Sequence, residues 1–168
     1  MLQLVASFED MADLSEVTGH SARIDAPRDP RAQTLLAHWR ACVARNGACV
    51  IGRDIPAARV ARLLNHVVIA EPLSGVDDMK LRLAGAALRA HGTAVRKSAL
   101  LSHLLPAEDF PDHVAAAFEA LRTGRPVILK SVRWHGDVER MHSEVVFLPV
   151  SPSNGQPDWL LAGIFQVR

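Results

Sequence analysis

The fold is decided within residues 79–92, Met79-Lys-Leu-Arg-Leu-Ala-Gly-Ala-Ala-Leu-Arg-Ala-His-Gly92, where an alternating pattern gives way to a helical one. Leu81 and Leu83 alternate with two basic residues, which is the pattern of a half-buried strand. Gly85 permits a tight bend, and the small and apolar residues after it favour a short helix that ends at Gly92. A strand that runs straight into a small helix predicts a sheet that cups helices over one face, and such a cup can hold a small molecule.

The composition indicates a packed domain without a charge bias. The 168 residues are 49% hydrophobic, which is enough for one domain with an appendage. The net charge is only +1 and the arginines are spread along the chain, so we expect no nucleic-acid partner. The first ten residues lack a basic signal-peptide region, and no apolar run approaches the ~20 residues of a bilayer span. We therefore expect a cytoplasmic protein with no membrane partner.

Helical patterns dominate the first part of the chain. A short first helix and a linker are predicted within residues 1–29. Asp29, followed by Pro30, is expected to cap an amphipathic helix that ends before Gly47, and a further helix is expected after Asp54. We divide the chain into an N-terminal helix and linker (1–29), a helical extension (30–66) and a sheet domain (67–168).

The helix at 30–46 has an apolar face that contains an aromatic residue. Leu35, Trp39 and Val43 share this face at helical spacing. The face either packs on the protein's own core or forms a contact between two subunits, and the sequence leaves both alternatives open. These three residues are our candidate interface for a homodimer.

The second half of the chain predicts five strands in one antiparallel sheet. Residues 67–72 form a hairpin with the strand that starts at Met79, and three consecutive strands are expected at 126–134, 140–150 and 159–167. Because a lone hairpin is marginally stable in water, both groups must lie in the same sheet. We expect helices to cover one of its faces. The longer helix should start at a capping Asp112, leave His113 exposed and bury Val114, Ala117, Phe118 and Leu121.

Several short motifs support a family resemblance. They are Arg53-Asp-Ile-Pro56, Arg82-Leu-Ala-Gly85, Gly92, and Glu144 with Leu148-Pro149. With the order of elements, they resemble a PAS domain, and in particular a free-standing bacterial PAS-like group with an N-terminal helical extension. The resemblance covers roughly residues 35–167 and implies a sensory or interaction fold without enzyme activity. The chain departs from the group at Ala86, where threonine is usual, and at Lys97, where glycine is expected.

No motif for catalysis or metal binding is found. The nucleophile elbow G-x-S-x-G and the phosphate-binding glycine motifs do not occur, and Cys42 and Cys49 lack the spacing of zinc ligands. We interpret these cysteines as reduced thiols in the core. Four polar residues near one hairpin, His135, Asp137, Glu139 and His142, are interpreted as a solvated turn. We therefore predict no catalytic residue and no metal site, and the cofactor, if there is one, stays unknown.

The leading hypothesis is a cytoplasmic PAS-like sensory domain that binds a small apolar or amphipathic molecule or an unidentified signalling protein. Because any signal must leave through a partner or a change of oligomer, the helix at 30–46 is the expected transmitter. The alternatives are a ligand-free interaction or dimerisation module, and a small enzyme if His91, His103, His142 or Glu144 converged in one cleft. The candidate pocket residues are His91, His103, Leu104, Phe118, Trp134, Phe147 and Phe165.

Overall fold

A computed structural model of the chain describes residues 17–90, 93–96, 98–153 and 157–167. The regular elements within these ranges are strands, two α-helices and two 3₁₀ helices. In chain order they are β1 (Val17–Arg23), α1 (Pro30–Asn46), a 3₁₀ helix (Ala61–His66), β2 (Val67–Pro72), β3 (Met79–Ala84), β4 (Arg89–Ala90), β5 (Thr93–Ala94), a second 3₁₀ helix (Leu101–His103), α2 (Phe110–Thr123), β6 (Val127–His135), β7 (Val138–Val150) and β8 (Trp159–Val167).

The described strands build one large antiparallel sheet with the order β1-β6-β7-β8-β2-β3, while β4 and β5 pair with each other. The predicted α+β class is confirmed. The prediction that the early hairpin and the late strands share a sheet is also confirmed, because Ile69 of β2 pairs with Leu161 of β8. The predicted number of five strands is wrong for the described chain, since this sheet has six.

The additional strand is β1, which lies in the segment predicted to be a helix and a linker. It pairs with β6 along its whole length, from Val17 opposite His135 to Arg23 opposite Leu129. Only Val17 and Ala22 among its seven residues have apolar side chains, so the sequence shows little strand character; main-chain pairing and the contact of Ser21 Oγ with Ser131 Oγ at 2.8 Å hold it instead. The predicted first helix lies outside the described residues.

Helix α1 covers one face of the sheet, which we call the α1 face. The helix begins and ends where the sequence predicts: the Asp29 carboxylate accepts a hydrogen bond from Arg31 N at 2.8 Å, and Gly47 adopts a left-handed φ of 77°. Trp39 is 7% exposed and its Nε1 donates to Pro149 O at 2.6 Å. Leu35 is buried beside it, so the structure shows the first of the two alternatives, packing on the protein's own core. This core contains residues both of the predicted helical extension (30–66) and of the predicted sheet domain (67–168), such as Leu35 and Leu161.

Helix α2 covers the opposite face, which we call the α2 face. The helix expected to cover the sheet therefore does cover one face, and the helical extension, through α1, covers the other. The buried side of α2 matches the prediction in part: Val114 and Ala117 are buried as predicted, while Phe118 and Leu121 are only partly buried. His113, Ala116 and Ala120 are buried as well, so the buried side is rotated toward them. Small alanines let this helix approach the sheet closely, and this packing outweighs the spacing of its larger apolar residues. In the part of the chain described, neither α-helix has the length and hydropathy of a bilayer span.

Two predicted helices are replaced by tighter structures. The segment after Asp54 forms only the 3₁₀ helix Ala61–His66, and the segment after Gly85 forms a turn that leads into β4. Gly85 N donates to Val67 O at 2.8 Å, and a Cβ at Gly85 would lie 2.3 Å from Asn65 O. The glycine is therefore required for a close approach between backbones.

Candidate ligand-binding cavity

A cavity of about 960 Å³ lies on the α2 face of the sheet. Strands β6, β7 and β8 form its floor, and α2 with the segment before it forms a wall through Leu101, Leu104 and Leu105. This volume is at the upper end of the roughly 300–1,000 Å³ typical of small-molecule sites. The cavity is therefore large enough for an organic ligand.

The floor of the cavity changes from apolar to polar along the strands. At one end Phe147 lies opposite Ala162 across β7 and β8, and the next cavity-facing pair is Val145 with Ile164. Beyond them a polar row crosses the sheet, in which Ser143 lies between Ser131 of β6 and Gln166 of β8. The floor thus matches a molecule with one apolar end and one hydrogen-bonding end.

Arg133 lies beyond the polar row and is already paired. Its guanidinium forms an ion pair with the Asp109 carboxylate, and its Nη1 is 3.4 Å from Glu108 Oε1. Both Arg133 and Asp109 line the cavity. Two carboxylates therefore face one guanidinium, and the polar end offers no uncompensated positive charge to an anionic ligand.

His113 is a buried polar residue of the cavity wall, in contrast to the exposed position predicted for it. The side chain is 4% exposed and its Nδ1 is 2.8 Å from Asp109 O. Because a carbonyl only accepts hydrogen bonds, Nδ1 carries the hydrogen, and in the neutral ring Nε2 is then an acceptor. The ring meets the edge of Phe147 with centroids 6.1 Å apart. His113 therefore combines an acceptor nitrogen with an aromatic contact to the apolar floor.

Only part of the predicted pocket is brought together by the structure. Leu104 and Phe147 line the cavity. Phe165 pairs with Glu144 across β7 and β8 and lies on the α1 face, because alternate residues of a strand point to opposite sides. Of the remaining predicted residues, Trp134 is 37% exposed, His103 is exposed, Phe118 is absent from the cavity lining, and His91 lies outside the described residues.

Sequence reasoning missed the polar residues of the cavity. It selected aromatic side chains and did not assign a face to Ser131, Arg133 or Ser143. The alternation along β7 was the available signal, since Ser143, Val145 and Phe147 must share a side of the sheet. The position of His113 had no such signal, because it depends on the rotation of α2.

Glu144 is a fully buried carboxylate on the α1 face, directly between two cavity-facing residues of β7. Its Oε1 and Oε2 accept from Arg28 N at 3.0 and 2.9 Å, and Oε2 also accepts from Asp29 N at 2.9 Å. Glu144 thus holds the backbone immediately before α1. It does not share a cleft with His103, so these two members of the hypothetical enzyme site are not brought together.

The cavity lining extends to the start of α1. Arg31 lines this end, and its Nη2 donates to Gln166 O at 2.7 Å and to Asp29 Oδ2 at 2.8 Å. The hydrogen bond from Arg31 holds the pKa of the Asp29 carboxyl below its usual range. The guanidinium also lies 5.3 Å from the centre of the Phe165 ring. The first turn of α1 therefore contacts the end of the cavity through charged and aromatic groups.

Comparisons with protein-family models, curated proteins and solved structures give no match to this chain. The function is therefore inferred from the cavity and the residues around it.

Proposed function

We propose that the chain is a PAS-like sensory domain that binds a small amphipathic molecule with an uncharged polar end in the cavity on the α2 face. One observation carries this proposal: the cavity of about 960 Å³ has a floor that passes from apolar to polar within a few cross-strand rows. The sensory part of the proposal rests on the resemblance to PAS domains.

The apolar end supports a hydrocarbon or aromatic portion of the ligand. Its floor is Phe147, Val145 and Ile164, and its wall is Leu101 and Leu104. Burial of apolar ligand surface against such side chains stabilises a complex by roughly 25 cal/mol per Å² before the cost of immobilising the ligand.

The polar end supports an uncharged group such as a hydroxyl or an amide. Ser131 and Ser143 each provide a hydroxyl that can donate or accept, and His113 provides an acceptor. An anionic group would meet the carboxylate of Asp109 as well as Arg133, and a cationic group would meet Arg133 itself. The cost of desolvating a charge would therefore be poorly repaid in either case.

A route from the cavity to the opposite face runs through β7. Ser143 and Val145 line the cavity, and Glu144 between them holds the backbone before α1. A ligand that displaces this part of β7 also displaces the anchor of α1. The proposal thus makes α1 the element that reports occupancy.

The test uses three probes with the same eight-carbon chain: 1-octanol, octanoate and octylamine. Isothermal titration calorimetry should show binding of 1-octanol and weaker binding of the two charged probes. Ala162→Leu fills the apolar end and should abolish binding, and Ser143→Ala removes a polar partner and should weaken binding of 1-octanol by roughly fivefold to tenfold. Ser153→Ala, at an exposed position outside the cavity lining, is the matched control and should bind like the unmodified chain.

Two results would contradict the proposal. Octanoate binding more tightly than 1-octanol would show that the polar end acts as an anion site. Equal binding by the unmodified chain and by Ala162→Leu would place the probe elsewhere. If no probe binds and mass spectrometry of the denatured protein finds no co-purifying molecule, the ligand-free interaction module becomes the better hypothesis.

A further inference from the structure

A second group of chemically capable side chains lies where α1 ends, apart from the cavity. The thiols of Cys42 and Cys49 and a carboxylate oxygen of Asp54 all lie within 4.8 Å of one another. His38 is one helical turn before Cys42, and its Nε2 is 3.5 Å from Cys42 Sγ. All four residues are buried, and each cysteine is only 1% exposed. None of them lines the cavity.

We propose that His38, Cys42, Cys49 and Asp54 form a binding site for a zinc ion. Two thiolates, one imidazole and one carboxylate are ligand types that Zn²⁺ accepts, and four of them complete its tetrahedral coordination. Cu⁺ favours purely sulfur ligands, and Mg²⁺ and Ca²⁺ favour purely oxygen ligands, so the mixed set favours zinc.

The spacing of the donor atoms fits this geometry. With zinc–sulfur bonds of about 2.3 Å and zinc–nitrogen bonds of about 2.0–2.1 Å, tetrahedral ligands lie about 3.5 Å apart for sulfur and nitrogen and about 3.8 Å apart for two sulfurs. The separation of 3.5 Å between His38 Nε2 and Cys42 Sγ therefore matches one edge of the tetrahedron. The two sulfurs and a carboxylate oxygen of Asp54 lie within 4.8 Å of one another, so these three donors need only small side-chain movements, and His38 would move from its place beside Cys42 to complete the set.

The surroundings orient the donors. Asp54 Oδ2 accepts from Val50 N at 2.8 Å and from Arg53 Nη2 at 2.7 Å, which fixes the carboxylate in its turn. Hydrogen bonds like those to Asp54 hold ligand side chains in position around protein metal sites. In the metal-free chain His38 Nε2 is 2.9 Å from the backbone oxygen of Asp54, which places the imidazole beside the cluster.

Binding has a defined balance of bonds and protons. Two metal–sulfur bonds form and the two thiol protons leave to solvent. The hydrogen of the His38 imidazole moves from Nε2 to Nδ1, and Nε2 exchanges its contact with Asp54 O for a bond to the metal. No oxidant or reductant takes part.

The test measures metal binding to the full chain, purified under reducing conditions and freed of metal with a chelator. Titration with ZnCl₂ against a coloured zinc indicator should show one equivalent bound, and Co²⁺ should give the visible bands of tetrahedral coordination with near-ultraviolet sulfur-to-metal charge transfer. MgCl₂ should not compete. Loss of a residue that only hydrogen-bonds to a metal ligand commonly lowers metal affinity by about 10–100-fold. Because the two cysteines would bind the metal directly, Cys42→Ser and Cys49→Ser should each weaken zinc binding by on the order of 100-fold or more.

His38→Gln keeps a donor for the Asp54 carbonyl, and it should also weaken zinc binding. His103→Gln, at an exposed position on the α2 side, is the matched control and should bind like the unmodified chain. If a cysteine variant does not fold, the Co²⁺ spectrum of the unmodified chain still decides the question, because charge transfer requires thiolate ligands. Three results would each overturn the proposal. They are the absence of stoichiometric zinc binding, an octahedral Co²⁺ spectrum, and a mass lower by two hydrogens, which would show that the cysteines form a disulfide and bind no metal.

Discussion

Replacing Glu144 by glutamine should destabilise the protein far more than replacing any exposed glutamate. Its two oxygens accept from the main-chain nitrogens of Arg28 and Asp29, and the side chain is 0% exposed. A hydrogen bond to a charged group is worth about 1.5–3 kcal/mol, against about 0.5–1.5 kcal/mol between neutral groups. In Glu144→Gln the main-chain N–H groups of Arg28 and Asp29 no longer donate to a charged acceptor. The new amide NH₂ also faces a main-chain N–H, and two donors cannot form a hydrogen bond with each other. We therefore expect a loss of about 2–3 kcal/mol in the free energy of unfolding.

The assay is urea denaturation followed by circular dichroism, with amide hydrogen exchange as a second measurement. For a chain of this length, the expected loss lowers the melting temperature by roughly 4–12 °C. The matched control is Glu71→Gln, since Glu71 forms a partly exposed ion pair with Arg82 and should change stability by less than about 1 kcal/mol. Exchange should accelerate at Arg28 and Asp29 in the Glu144 variant. Equal stability of the two variants, or unchanged exchange at these amides, would refute the role assigned to Glu144.

Two further predictions concern close packing and pH. Gly85→Ala places a Cβ 2.3 Å from Asn65 O and should lower the free energy of unfolding, measured in urea, by at least about 2–3 kcal/mol. The control is Gly75→Ala, where the Cβ meets open space and the only cost is the left-handed φ of 75°, about 1–2 kcal/mol. Equal losses in the two variants would contradict the close approach at Gly85. The hydrogen bond from Arg31 lowers the pKa of the Asp29 carboxyl below its unfolded value of 3.8. The ionised carboxylate therefore stabilises the fold above pH 3.8, and this stabilisation is lost as the pH falls through the lower pKa of the folded state. The difference in unfolding free energy between the unmodified chain and Asp29→Asn should therefore be largest near neutral pH and vanish in strong acid, and a difference that does not vary with pH would show that the charge contributes nothing.

The sequence was most informative where a local signal coincides with the final structure. Helix α1 could be placed to the residue because a capping aspartate, a proline and a terminal glycine all lie within it or at its ends. The joining of β2 to the late strands could also be predicted, since neither group is stable without the other.

The remaining features depend on tertiary contacts that no short segment encodes. Strand β1 has few apolar residues, and it becomes a strand only because β6 offers a free edge. The rotation that buries His113 follows from the close approach of alanines to the sheet, and the register that separates Phe165 from Phe147 follows from the pairing of β7 with β8. The convergence of Cys42 with Cys49 needed the loop between them to turn back on α1, which their spacing alone does not indicate.

The position of β1 at the border of the sheet has a consequence for any shortened version of the protein. A fragment that began after Arg23 would leave the seven residues of β6 that pair with β1, Leu129 to His135, with unpaired main-chain donors and acceptors along one side. Such a bare border is a template for a strand from another molecule. Strand β1 therefore protects β6 from self-association, and removing it should produce insoluble material even though no part of the cavity has been cut away.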